Sequence, residues 1–121
     1  MKLNYFVVGT NDMDAAVRFY DALFGETGPK QTLANERMTY WQDESFAFAV
    51  AKPFDGQSAT HGNGTMFGFG VESQDEVKRL HHKVIELGGV CDGEPGQRGP
   101  VFSAYARDLD NNKISFYVFA G

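Results

Sequence analysis

Apart from its 16 carboxylates, few side chains in this 121-residue chain can do acid–base, nucleophilic or metal chemistry, and they are scattered: His61, His81, His82, the single Cys91 and five tyrosines. His81 and His82 adjoin each other in a stretch with helical spacing. Successive side chains on a helix diverge by about 100 degrees, so these two do not readily share an ion. Both are expected on or beside a solvated helix flank. Cys91 follows that helix near a turn and reads as structural rather than reactive. Ser115 is a small hydroxyl among large apolar residues, without a Gly-x-Ser-x-Gly elbow and without evident His and Asp companions, which argues against a hydrolase triad. No acid and base stand at a spacing that pairs them. Aromatic surface is what the chain has in quantity. Tyr5, Tyr40, Trp41, Tyr105 and Tyr117, with Met38 and Met66, offer broad apolar faces and phenolic handles suited to a planar organic molecule. Such ring faces in a negative protein also attract cations. Arg98 and Arg107 can pair with a ligand carboxylate, although turn anchoring is the plainer role for each.

The elements that must position these residues come in two similar sets. Residues 3–9 are a β-rich run, after which Met13, Ala16, Val17, Tyr20 and Phe24 recur on one helical face. Asn11 or Asp12 can cap that helix and Gly25 can end it. Residues 65–71 form a second aromatic-rich strand. Ser73-Gln-Asp-Glu76 is then a capping box, and Val77, Leu80, Val84 and Leu87 form a buried face closed by Gly88-Gly89. Short strands follow each helix, near 30–34, 37–43 and 45–51, and again near 90–92, 101–107 and 113–119. The order strand-helix-strand-strand-strand therefore occurs twice, about 61 residues apart at the leading strands. We expect one domain over 1–121, with a first repeat at about 1–52, a polar Gly-rich linker at about 53–64 and a second repeat at about 65–121.

Strand parity divides each strand into a bulky and a small side. Phe6, Val8, Phe48, Val50, Phe67, Phe69, Ile114 and Phe116 can pack under helices. The opposite side carries Ala47, Ala49, Gly68, Gly70 and Ser115 among Tyr and Met, and this leaves volume that a packed core would not tolerate. The expectation is a concave, partly apolar face that holds a ligand. Packing against a second copy of the sheet is the other use of such a face. The expected lining is Tyr5, Met38, Tyr40, Ala47, Ala49, Met66, Tyr105, Ser115 and Tyr117, with His61 reaching the mouth from the linker. Parity sets Tyr40 and Trp41 on opposite faces, so only one of them can join it.

Composition narrows the partners. A formal charge of -5 and the lack of any large Lys/Arg cluster argue against a nucleic-acid surface. One cysteine cannot form an intramolecular disulfide, in keeping with a reducing compartment. The longest apolar run, residues 46–51, is far below the roughly 20 residues of a membrane span, and the first residues do not read as a signal peptide. A cytoplasmic protein is expected.

Three stretches carry a resemblance to the glyoxalase, bleomycin-resistance and extradiol-dioxygenase superfamily, the vicinal oxygen chelate proteins. They are the strand–helix opening with Asp12 and Phe19-Tyr20, the Gly62-Asn-Gly-Thr65 entry to the second repeat, and Arg107-Asp-Leu-Asp-Asn-Asn-Lys-Ile114. The last resembles the family's Asp-Pro-Asp-Gly-Asn-x-Ile turn, with Leu109 for Pro and Asn111 for Gly, and Asn tolerates the left-handed backbone such a turn needs. The resemblance implies an α+β fold of two βαβββ repeats forming a curved eight-stranded mixed sheet, and a homodimer. It also implies a test, since metal-dependent members hold a divalent ion through two His and a Glu, often with a further carboxylate. Carried onto this chain, those positions are Tyr5, Met66, Ser115 and Ala47 or Ala49. A phenol, a thioether, a hydroxyl and a methyl are not ligands for such an ion. The resemblance therefore implies a metal-free, cofactor-free protein that binds a small organic molecule. The alternative is a lyase or dioxygenase of the same superfamily with an unconventional site.

Overall fold

In a computed structural model that describes residues 1–119, the chain divides into two compact units, Met1–His61 and a second beginning at Gly62. The first contains β1 (Tyr5–Gly9), α1 (Met13–Phe24), β2 (Lys30–Ala34), β3 (Met38–Gln42) and β4 (Ala47–Ala51). The second contains β5 (Met66–Gly70), α2 (Gln74–Glu86), β6 (Val90–Arg98), β7 (Val101–Arg107) and β8 (Lys113–Phe119). Each unit thus has the βαβββ order read from the sequence.

The eight strands form two mixed sheets of four, with orders β1-β4-β3-β2 and β5-β8-β7-β6, rather than the single curved sheet expected. The reason lies in the pairing. Within each repeat the first strand runs parallel to the last, Tyr5 beside Ala47 and Gly68 beside Ser115, and antiparallel neighbours supply the remaining ladders. A parallel pair requires a long crossover, which each repeat provides with its own helix.

In the first unit, α1 starts at Asp12, whose carboxylate accepts from the Ala15 amide, and stops at Gly25, whose positive φ of 62° suits glycine. Its buried face is Ala16, Phe19, Tyr20, Leu23 and Phe24, with Phe19 and Leu23 in place of the Met13 and Val17 that the spacing predicts, which are only half-buried. Tyr20 lies 4.7 Å from Phe48 and 5.8 Å from Trp41, ring centre to ring centre. Trp41 is buried, and its indole N–H donates to Asp21 at 2.8 Å. Parity therefore separates Trp41, under the helix, from Tyr40 on the other face.

Asn11 has a second task in place of capping. Its side chain exchanges hydrogen bonds with the Ala59 backbone at 3.1 and 2.7 Å, which ties the expected linker to the end of β1. A Cβ on Gly9 would stand 2.8 Å from that of Ala59, so this approach needs glycine. In the second unit, Ser73 caps α2 by accepting from the Glu76 amide at 3.1 Å. Val77 and Val84 then pack toward a buried group of Ala104, Ala106, Ile114 and Phe116. Among the described residues, no helix is long and apolar enough to cross a membrane.

Candidate functional site

A depression of about 400 Å³ opens in the first unit, lined by Asn4, Tyr5, Tyr40, Gln42, the 43–46 turn and Ala47. Three expected lining residues, Tyr5, Tyr40 and Ala47, meet there for a reason fixed by register. Tyr5 is paired with Ala47 across β1 and β4, and Gln42 with Ala47 across β4 and β3. The small Ala47 leaves the floor low while the tyrosines supply aromatic walls. Tyr5 is largely exposed and Tyr40 half-buried, its hydroxyl 3.9 Å from the sulfur of Met38 farther along β3.

The rim of this depression is acidic. Asp43 accepts from the amides of Ser45 at 2.8 Å and Phe46 at 3.0 Å and from the Ser45 hydroxyl at 3.1 Å. Burial opposes its charge, yet those three donors outweigh burial and hold its carboxyl below the ordinary value of 3.8. With Glu44 beside it, the site presents negative charge next to two aromatic rings, a combination that favours neutral or cationic planar groups over carboxylates.

In the second unit, Met66, Tyr105, Ser115 and Tyr117 lie on one sheet face, since Tyr105 pairs with Ser115 and Gly68 with Ser115. The volume that parity assigns to the glycines is occupied by Tyr117. A Cβ on Gly70 would lie 3.3 Å from the Tyr117 ring and hydroxyl, and one on Gly68 3.4 Å from the same ring. Ser115 is buried, at 6% exposure, and Ala49 in the first unit is fully buried, and neither lines the depression. His61 ends the first unit half-buried. Arg107 is held by Asp92 at 2.9 Å and by the Asn111 carbonyl at 3.0 Å, which is the turn-anchoring role. Arg98 lies over Tyr105 and donates to the carbonyls of Glu94 and Ser103. Lys113 and, beyond it, Arg107 hold the Asp92 carboxyl below its ordinary value.

The residues at the family's metal positions do not fit an ion. Tyr5 and Ala47 adjoin in one sheet, and Met66 and Ser115 lie on the face of the other, but a phenol, a methyl, a thioether and a hydroxyl offer no carboxylate or imidazole.

Two features went unread in the sequence. The Asp43 turn was signalled by Asp followed two residues later by Ser, a side-chain-to-backbone turn pattern. His81 is only 4% exposed, not on a solvated flank, and its imidazole lies 3.2 Å from the Cys91 sulfur. With Val77 and Val84 it forms an i, i+4, i+7 stripe, the spacing that marks a buried helix face. Burial outweighs the attraction of Glu94 and, aided by His82 and Arg98, lowers its basicity below the ordinary 6.5.

A family model described as the Glyoxalase/Bleomycin resistance protein/Dioxygenase superfamily matches residues 2–116. No curated protein matches the chain. Among solved structures, a glyoxalase/bleomycin resistance protein from Albidiferax ferrireducens is 35% identical, with 98% of each chain covered and a TM-score of 0.91. A hypothetical protein from S. aureus is 26% identical over 98% of this chain and 93% of its own, with a TM-score of 0.78. A lactoylglutathione lyase from Agrobacterium tumefaciens shares the fold at 16% identity, covering 97% of this chain and 92% of its own, with a TM-score of 0.74.

Proposed function

The chain belongs to the glyoxalase/bleomycin resistance protein/dioxygenase superfamily, and from that premise we propose that it binds a small planar organic molecule, neutral or cationic, without a metal at the family's usual positions. The observation that carries this reading is the depression between Tyr5, Tyr40 and Ala47 with the Asp43–Glu44 rim. Its volume of about 400 Å³ lies near the low end of the roughly 300–1,000 Å³ of small-molecule sites. Aromatic walls give apolar contact at little entropic cost, and the carboxylates select against anions.

The alternative, a lyase or dioxygenase of the same superfamily, requires an ion held by other side chains or supplied from outside. The donor chemistry at Tyr5, Met66, Ser115 and Ala47 weighs against it. A thermal-shift and calorimetric screen separates charge classes directly. Planar aromatic amines are expected to stabilise the protein and matched aromatic carboxylates are not, and both Tyr5→Ala and Tyr40→Ala should abolish the response. Stabilisation by carboxylates alone, or a response untouched by both substitutions, contradicts the reading.

A further inference from the structure

Three chemically different side chains converge in the second unit, apart from the depression described above. His81 projects from the middle of α2, and Cys91 and Glu94 come from β6. The His81 Nε2 lies 3.2 Å from the Cys91 sulfur, which lies 3.4 Å from Glu94 Oε1. One ligand atom from each residue falls within 4.8 Å of the other two.

Backbone irregularity creates this meeting. In a regular strand, residues three apart point to opposite faces. β6 shifts register against β7 twice, between Cys91 and Gly93, where two steps on β6 face one step on β7, and again between Gly93 and Gly96, the stretch that holds Glu94. The first bulge restores the parity, so Cys91 and Glu94 both face α2 while Asp92 turns away to Arg107 and Lys113.

We propose that His81, Cys91 and Glu94 form a transition-metal site that takes Zn²⁺ or an ion of similar softness. Zinc bonds of ~2.3 Å to sulfur and ~2.0–2.2 Å to nitrogen or oxygen put the sulfur of a tetrahedral site roughly 3.5–3.7 Å from the other ligand atoms. The observed separations of 3.2 and 3.4 Å lie a few tenths of an ångström inside that edge, a gap that small side-chain shifts on binding close. The donor set is also right in kind, since imidazole, thiolate and carboxylate are all zinc ligands. A thiolate and a carboxylate together neutralise a divalent charge. Arg98 donates to the Glu94 carbonyl and not to its carboxylate, which leaves both carboxylate oxygens to the site. His81 is held rigidly by burial, whereas Cys91 and Glu94 are exposed, so an ion enters from solvent and keeps a fourth position for water. A simple S–H to imidazole bond satisfies His81 and Cys91 alone. It does not require the bulge that brings in Glu94.

The test uses the reduced, chelator-treated full chain and Co²⁺ as the probe. One equivalent should bind, giving a thiolate-to-cobalt charge-transfer band and tetrahedral visible bands, both displaced by one equivalent of Zn²⁺. Cys91→Ala should remove the bands. Glu94→Gln should weaken binding at least about tenfold, the loss that follows from disturbing even the groups behind a ligand. Both residues are exposed, so these variants should fold even if His81→Ala does not. His82→Ala, on the exposed neighbour, should bind as the wild type does. Absence of the bands, their survival in Cys91→Ala, or unchanged affinity in Glu94→Gln would each overturn the proposal.

Discussion

Asn111 adopts φ 68°, alone among the described non-glycine residues in having a positive value. Around it, the Asp108 carboxylate accepts from the amides of Asp110 and Asn112, each at 2.9 Å, and from the Asn112 side chain at 3.0 Å. The left-handed position was legible because Asn stands where the family turn has Gly. Asn111→Gly is accordingly expected to leave stability within about 0.5 kcal/mol of the wild type, and Asn111→Ala to cost about 1 kcal/mol, measured by urea unfolding. Ser115 was less legible. Parity placed it on the sheet face, but the neighbour that fills the adjacent volume, Tyr117, is set by a side-chain direction that parity does not carry. Tyr5 belongs to the opposite case. Largely exposed, it should be replaceable by Ala at less than about 0.5 kcal/mol in stability while ligand affinity falls.

Among the elements, β3 divides its labour between faces. Trp41→Phe removes the indole bond to Asp21 and leaves a void against Tyr20 and Phe48, a loss of about 1–3 kcal/mol visible as a lower urea midpoint by circular dichroism. The turn after β3 responds to pH instead. Asp43 has a folded-state carboxyl held below 3.8, so its contribution is present above that pH and is lost as the pH falls through the lower folded value. Asp43→Ala loses three hydrogen bonds on an exposed, solvent-screened turn and should be less stable than the wild type by roughly 0.5 kcal/mol at neutral pH, with the gap narrowing below pH 3.8. Helix and strand order were readable because periods of 3.6 and 2 are strong signals over these lengths. The β6 bulge was not, because register shifts arise from pairing with a partner strand and leave no local period. That is why the meeting of His81, Cys91 and Glu94 was invisible in one dimension.

For the whole molecule, the repeat explains why two sheets form where one was expected: each βαβββ set satisfies its own ladders. The family resemblance was legible from turn and cap residues scattered along the chain, and a family match over residues 2–116 bears it out. Substrate identity was not, because the superfamily's fold is shared by proteins of different activity. The homodimer that the resemblance implies remains an expectation, with a sedimentation mass near twice 13.4 kDa as its check.

The central claim is that this chain binds an organic molecule without a metal at the family's ligand positions. Native mass spectrometry of freshly purified protein, coupled to elemental analysis, tests it most directly. The account predicts an organic adduct that Tyr5→Ala removes, and no metal content that depends on Met66 or Ser115. Stoichiometric Zn, Ni, Fe or Mn that disappears in Met66→Ala or Ser115→Ala and persists in Cys91→Ala would contradict it.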